Sequence, residues 1–142
     1  MKVLLIHGPN LNLLGERQES VYGSCSSQDI INRLNSEFPQ IDLQYFQSNN
    51  EHELIDKVHA ARNEFQGLLI NPGAFSHTSI ALADAIRSIN IPSICIHISN
   101  IYQREDFRHS DFVGAACKGS IVGLGVDGYP MALECLIDLI KP

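Results

Sequence analysis

Three side chains able to do chemistry stand in one glycine-punctuated stretch. Asn10 offers an amide, Arg17 a guanidinium and Tyr22 a phenol. The stretch leaves the apolar run 2–6, and Gly8, Pro9, Gly15 and Gly23 mark it as a loop that must bend. Leu11, Leu13 and Leu14 give that loop apolar groups with which to dock. Further polar groups follow two other apolar runs: Asn71, Ser76 and His77 after 67–70, and His97 and Ser99 at the end of 93–98, with Arg104 and Arg108 beyond.

Together these groups suit proton abstraction beside a carbonyl followed by loss of water. A phenol ionises near 10 in water. A tyrosine base therefore needs stabilisation of its anion by roughly 3–4 kcal/mol to work near neutrality. Arg17 is a suitable source, because a guanidinium keeps its proton. His97 is placed to be the general acid, as imidazoles titrate in the working range. Asn10 can hold a water or an enolate oxygen. Arg108, with the backbone N–H groups of Ile98 and Ser99, can grip a carboxylate. Imine chemistry would need a lysine in the cleft. Lys2, Lys57, Lys118 and Lys141 are all expected elsewhere. No G-x-x-x-x-G-K-[ST] string supports a nucleotide site.

The elements that must position these groups alternate. Strands are expected at 2–6, 41–45, 67–70, 93–98 and 119–122. Helices are expected from 26 to 38, from 51 to 65, through Ile80, Leu82, Ala83, Ile86 and Ile89, and from 131 to 140 with Pro130 near the first turn. The segment 104–108 reads as loop. Continuous apolar strands alternating with helices predict an α/β fold, a parallel sheet covered on both faces in three layers. Ligands bind such sheets beyond the carboxyl ends of the strands, where the strand order reverses. All the polar groups named above should converge there.

The 142 residues fit a single domain, 1–142, and 44% are apolar. A net charge of -6 argues against nucleic acid as a partner. No apolar run reaches membrane-spanning length. Cys25, Cys95, Cys117 and Cys135 form no C-x-x-C pair, which argues against structural zinc. A chain that opens on a strand without a signal peptide is expected in the reducing cytoplasm with free thiols.

Four long motifs appear in order: G-P-N-L-N-L-L-G-x-R with V-Y-G after it, N-P-G-A-F-S-H-T-S, H-I-S-N-I-Y-x-R-E-x-F-R-H-S, and G-S-I-V-G-L-G-x-x-G-Y. In these the sequence resembles the type II 3-dehydroquinate dehydratases of the shikimate and quinate pathways. The resemblance implies a flavodoxin-like, doubly wound, five-stranded parallel sheet. It also implies anti elimination of water from 3-dehydroquinate through an enolate. By position, Tyr22 would be the base, His97 the acid, Arg17 a transition-state cation on a mobile lid (about residues 15–24), and Asn10 the holder of a water at the enolate. Asn71, His77, Ile98, Ser99 and Arg108 would bind substrate. Asp84 would reach a neighbouring subunit's site, because the family forms dodecamers of four trimers. No cofactor or metal is implied.

Two positions depart from the family. Glutamate is usual two residues before the acid histidine, where this chain has Cys95. Cys95 and His97 share a strand face, and a thiol is a poor substitute for a carboxylate that orients an imidazole. Reduced turnover is expected unless another group replaces that carboxylate. His7 stands where the family often has asparagine, and is expected to alter only packing or contacts behind the site. Two rival readings follow: a weakened or inactive oligomeric relative that only binds ligand, and a metal-dependent hydrolase built on His7, His77 and His97.

Overall fold

Leucine- and isoleucine-rich runs without polar alternation form the three inner strands of the computed structural model, which describes residues 1–16 and 18–141. They are β1 (Lys2–His7), β3 (Gly67–Asn71) and β4 (Ser93–His97), and the last two are buried throughout. The more polar β2 (Asp42–Gln47) and β5 (Gly119–Val122) are half-open edge strands. All pairings are parallel, in the order β2-β1-β3-β4-β5. This is the expected flavodoxin-like order, which reverses between β1 and β3. The register sets His7 beside Asn71, and Cys95 beside Ile70.

Successive strand residues point to opposite faces, so β1 and β3 each feed two cores. Val3, Leu5, Leu69, Ile94 and Ile96 pack under α2 (Ser27–Glu37) and α6 (Gly128–Ile140). Leu4, Ile6, Leu68 and Ile70 pack under α3 (Glu51–Glu64), α4 (Ile80–Arg87) and α5 (Phe112–Ala116). The helix starts are chemically specified. Ser26 and Asp29 form a reciprocal capping box on α2, and Asn50, Ser79 and Asp111 cap α3, α4 and α5 with their side chains. Each such cap stabilises by about 1 kcal/mol.

Four details differ from the sequence-based expectation. The stretch after β1 is not unbroken loop: it makes a 3-10 turn (Leu11–Leu13) and α1 (Glu19–Tyr22), with Leu11 and Leu14 buried. Burying those leucines is what gives the loop a fixed course. Helix α6 starts three residues earlier than Met131, because the fully buried Tyr129 anchors its first turn, where Pro130 lacks only an N–H that no helical carbonyl would receive. Ile80 was expected on the inner face of α4 but is 60% exposed at the helix's first position, while Leu82, Ala83 and Ile86 carry the burial. After the two short turns Ile101–Gln103 and Asp106–Arg108 comes α5, too short to leave a helical period in the sequence.

Candidate functional site

The exits of β1 and β3 touch at Gly8. Its N–H donates to the Asn71 carbonyl at 2.8 Å, and a Cβ there would stand 2.3 Å from the Pro72 carbonyl oxygen. Only glycine allows the two backbones this close. Above this junction, at the carboxyl ends of β1, β3 and β4, lies an open cleft. Asn10 and Tyr22 enter it from the β1 loop, and Asn71 and His77 from the β3 loop. His97, Ile98, Ser99, Arg104 and Arg108 enter from β4 and its loop. Eight expected site residues thus share one cleft. Arg17 lies outside the described residues. Asp84 is not in the cleft: it is solvent-exposed on α4, 3.1 Å from Arg87. No lysine lines the cleft among the described residues.

Among the described residues, Arg104 is a cation beside the phenol. Its Nη1 donates to the Tyr22 hydroxyl at 3.0 Å and to Ser99 Oγ at 3.2 Å, and its guanidinium carbon lies 5.6 Å from the Tyr22 ring centre. Asn10 holds a left-handed backbone (φ 68°), which asparagine tolerates better than most residues. Its N–H donates to Asn49 Oδ1 at 2.9 Å. Arg108 is braced by Glu105 at 2.6 Å.

On the opposite wall His77 donates from Nδ1 to the Ser110 carbonyl at 2.8 Å and stacks on His97 at 6.1 Å. Burial holds the His77 imidazole below its ordinary range. His97 itself is 5% exposed. Its Nε2 points away from the cleft, to Asp111 Oδ2 at 2.7 Å, Ser76 Oγ at 3.4 Å and Cys95 Sγ at 3.5 Å. The replacement carboxylate that the Cys95 position left open is therefore present, on Asp111. Sequence reasoning missed it. The available signal was an aspartate just before the apolar run 112–116, the pattern of a helix cap. Burial works against charge on Asp111. The hydrogen bond and charge of His97, with donors from Ser76 and Gly114, outweigh it and hold the carboxyl below its ordinary range. Cys95 is the reverse case: the adjacent Cys117 thiol, complete burial and the Asp111 charge push its thiol well up, so it stays protonated and uncharged.

His7 is behind the site rather than in it. Asn71 Nδ2 donates to the Tyr129 hydroxyl at 2.9 Å, so that hydroxyl gives its proton to His7 Nε2 at 2.8 Å. His7 Nδ1 reaches Ser27 Oγ and Tyr45 Oη, both at 3.2 Å, and Ser27 donates to the Leu11 carbonyl. A neutral, fully buried imidazole thus ties the β1 loop to Asn71, and burial lowers its pKa to about 3. His7 therefore does not join His77 and His97 as a metal ligand. Cys95, His97 and Asp111 do offer ligand atoms within 4.8 Å of one another. Yet 2.7 Å between Nε2 and Oδ2 is hydrogen-bond spacing. Two ligands of one tetrahedral ion stand roughly 3.3–3.6 Å apart.

Residues 1–137 match the family model described as dehydroquinase class II. A 3-dehydroquinate dehydratase of Proteus mirabilis (strain HI4320) is 49% identical over 98% of this chain and 96% of its own length. One from Bacillus cereus (strain AH187) is 46% identical over 99% and 97%. The crystal structure of type II dehydroquinase from Butyrivibrio crossotus DSM 2876 superposes with a TM-score of 0.93 at 42% identity, covering 96% of this chain and 97% of that one. A 3-dehydroquinate dehydratase-like protein from Bifidobacterium longum is more distant, with a TM-score of 0.74 at 26% identity, covering 100% and 99%. With this fold and this cleft, the chain belongs to the class II dehydroquinase family.

Proposed function

We propose that this protein is a 3-dehydroquinate dehydratase, a hydro-lyase that removes water from 3-dehydroquinate by anti elimination to give 3-dehydroshikimate. The observation that carries the proposal is two groups lining one cleft: a phenol bonded by a guanidinium, and an imidazole backed by a carboxylate. Tyr22 takes the proton beside the ketone, and the carbon's electron pair moves into an enolate. A water held by Asn10 stabilises the enolate oxygen. The enolate then collapses to the enone as the hydroxyl leaves, and His97 gives it a proton, so that water departs. Tyr22 ends protonated and His97 neutral, and proton exchange through solvent resets both. Arg104 Nη1 is aimed at the oxygen on which the base's charge develops. A charge-assisted bond there is worth about 1.5–3 kcal/mol. Arg108 and the N–H groups of Ile98 and Ser99 grip the substrate carboxylate, while Asn71 and His77 bind its hydroxyls.

The remaining parts of the proposal come from the family. Arg17 closes over the substrate on a lid of about residues 15–24. Asp84 completes the site of a neighbouring subunit in a dodecamer of four trimers, which suits its exposure on α4. The enzyme acts in the cytoplasm, where its four free thiols would stay reduced. No described helix is long and apolar enough to cross a membrane.

The test is the enone absorbance of dehydroshikimate. Purified protein should generate it from 3-dehydroquinate, and Tyr22→Phe should lower kcat by about 10²–10⁴-fold, the span of general acid–base catalysis, with KM little changed. Binding of 3-dehydroquinate without any enone would refute the enzyme and leave the ligand-binding relative in its place.

A further inference from the structure

We propose that Asp111 is a positioning residue for the acid histidine, doing from the cap of α5 what the side chain at position 95 does not do in this chain. The inference rests on the dehydratase reading of the cleft. Asp111 is 11% exposed at its side chain and does not line the cleft, so it acts through His97 and does not touch substrate. Its two oxygens are divided. Oδ1 accepts from the Gly114 N–H and from Ser76 Oγ, both at 2.7 Å. These bonds satisfy the helix cap and fix the carboxylate plane. Oδ2 is then left to face His97 Nε2 at 2.7 Å. A cap needs one oxygen; the second, spent on the imidazole, is not explained by capping.

The consequence is a defined tautomer. An ionised carboxylate can only accept, so Nε2 carries a proton whenever His97 is neutral. Ser76 cannot compete for that role, because its hydroxyl proton already goes to Oδ1. Nδ1 has no hydrogen-bond partner in the described protein and is the nitrogen left for the cleft. It is therefore the atom that carries and delivers the catalytic proton. Cys95 lies 3.5 Å from Nε2 but is a neutral thiol, unable to supply either charge or a strong acceptor. Gly114 belongs to the same device: a Cβ there would sit 2.2 Å from Asp111 Oδ2. The chain leaves that space empty and the carboxylate occupies it.

Asp111→Asn is the informative variant, because asparagine caps as well as aspartate and preserves α5. We expect kcat for dehydration to fall about 10–100-fold, the usual cost of losing an imidazole's outer partner, with KM changed less than about threefold. In nitrogen-edited NMR the deshielded Nε2 proton of His97 should move upfield, a readout that needs no turnover. Restoring a carboxylate from the other side, in Cys95→Glu/Asp111→Asn, should recover at least tenfold of the lost rate. Cys95→Glu alone should not raise kcat, since it crowds two carboxylates on one imidazole. Wild-type kcat in Asp111→Asn, an unmoved Nε2 resonance, or a folded double variant as slow as the single one would each overturn the assignment. A wild-type protein that makes no dehydroshikimate would refute the dehydratase reading instead, and the NMR comparison would still decide the pairing.

Discussion

Lowering the pH from 7 to 5 should weaken the fold through one buried side chain, His7. The imidazole is fully buried among Tyr129, Tyr45 and Ser27, and burial lowers its pKa from 6.5 to about 3. The sign follows from which state binds the proton first. Between 6.5 and about 3 the unfolded chain takes up a proton that the folded chain refuses. Stability therefore rises with pH across this window and falls as acid is added. At pH 5 the unfolded state has gained 1.5 pH units of protonation, about 2 kcal/mol at 1.36 kcal/mol per unit. That is a large share of a typical stability of about 5–15 kcal/mol. His77, also lowered by burial, adds loss of the same sign. Asp111, whose carboxyl is held low, adds its loss only below about pH 4. The measurement is urea unfolding at pH 7, 6 and 5, at fixed protein concentration, for the wild type and His7→Asn. The asparagine variant is expected to lose stability at pH 7 from its shortened hydrogen-bond chain. Its decline between pH 7 and 5 should be shallower than the wild type's by about 2 kcal/mol. Parallel declines would refute the reasoning, because His77 and all other groups are common to both proteins.

Arg104→Ala should lower kcat about 10–100-fold by removing the bond at the Tyr22 hydroxyl, and Arg104→Lys should recover part of that, both read as enone formation. Gly8→Ala should destabilise by about 1–3 kcal/mol in thermal or urea unfolding, because its methyl would press on the Pro72 backbone and part the β1 and β3 exits. Dialysis against a strong chelator should leave the dehydration rate unchanged; loss of activity restored by a divalent ion would instead favour metal chemistry at Cys95, His97 and Asp111.

Much of the site was legible because its residues belong to sequence-local signals. Asn10, Asn71, His77 and His97 each follow or end an apolar run closely, whereas Tyr22 and Arg108 stand further along their loops. A parallel sheet sends all such exits to one edge, whatever the strand order. The helix starts were legible for the same reason: Ser26 with Asp29 is a cap within one turn of chain. Ile80 misled because apolar spacing says which residues could share a face, and not where the neighbouring elements stop covering it.

What the sequence determined by itself is the alternation of doubly buried strands and helices, and the set of polar groups gathered at the strands' carboxyl ends. What only the tertiary structure decided is who partners whom there. Arg104 meets Tyr22 across 82 positions, and Tyr129 meets His7 across 122. Asp111 meets His97 from a helix of five residues that leaves no periodic trace. A strand or helix is written in its own period, which a short window of chain contains. A contact between side chains on separate elements depends on strand order, register and where a loop is pinned, and those are set by how the two cores pack.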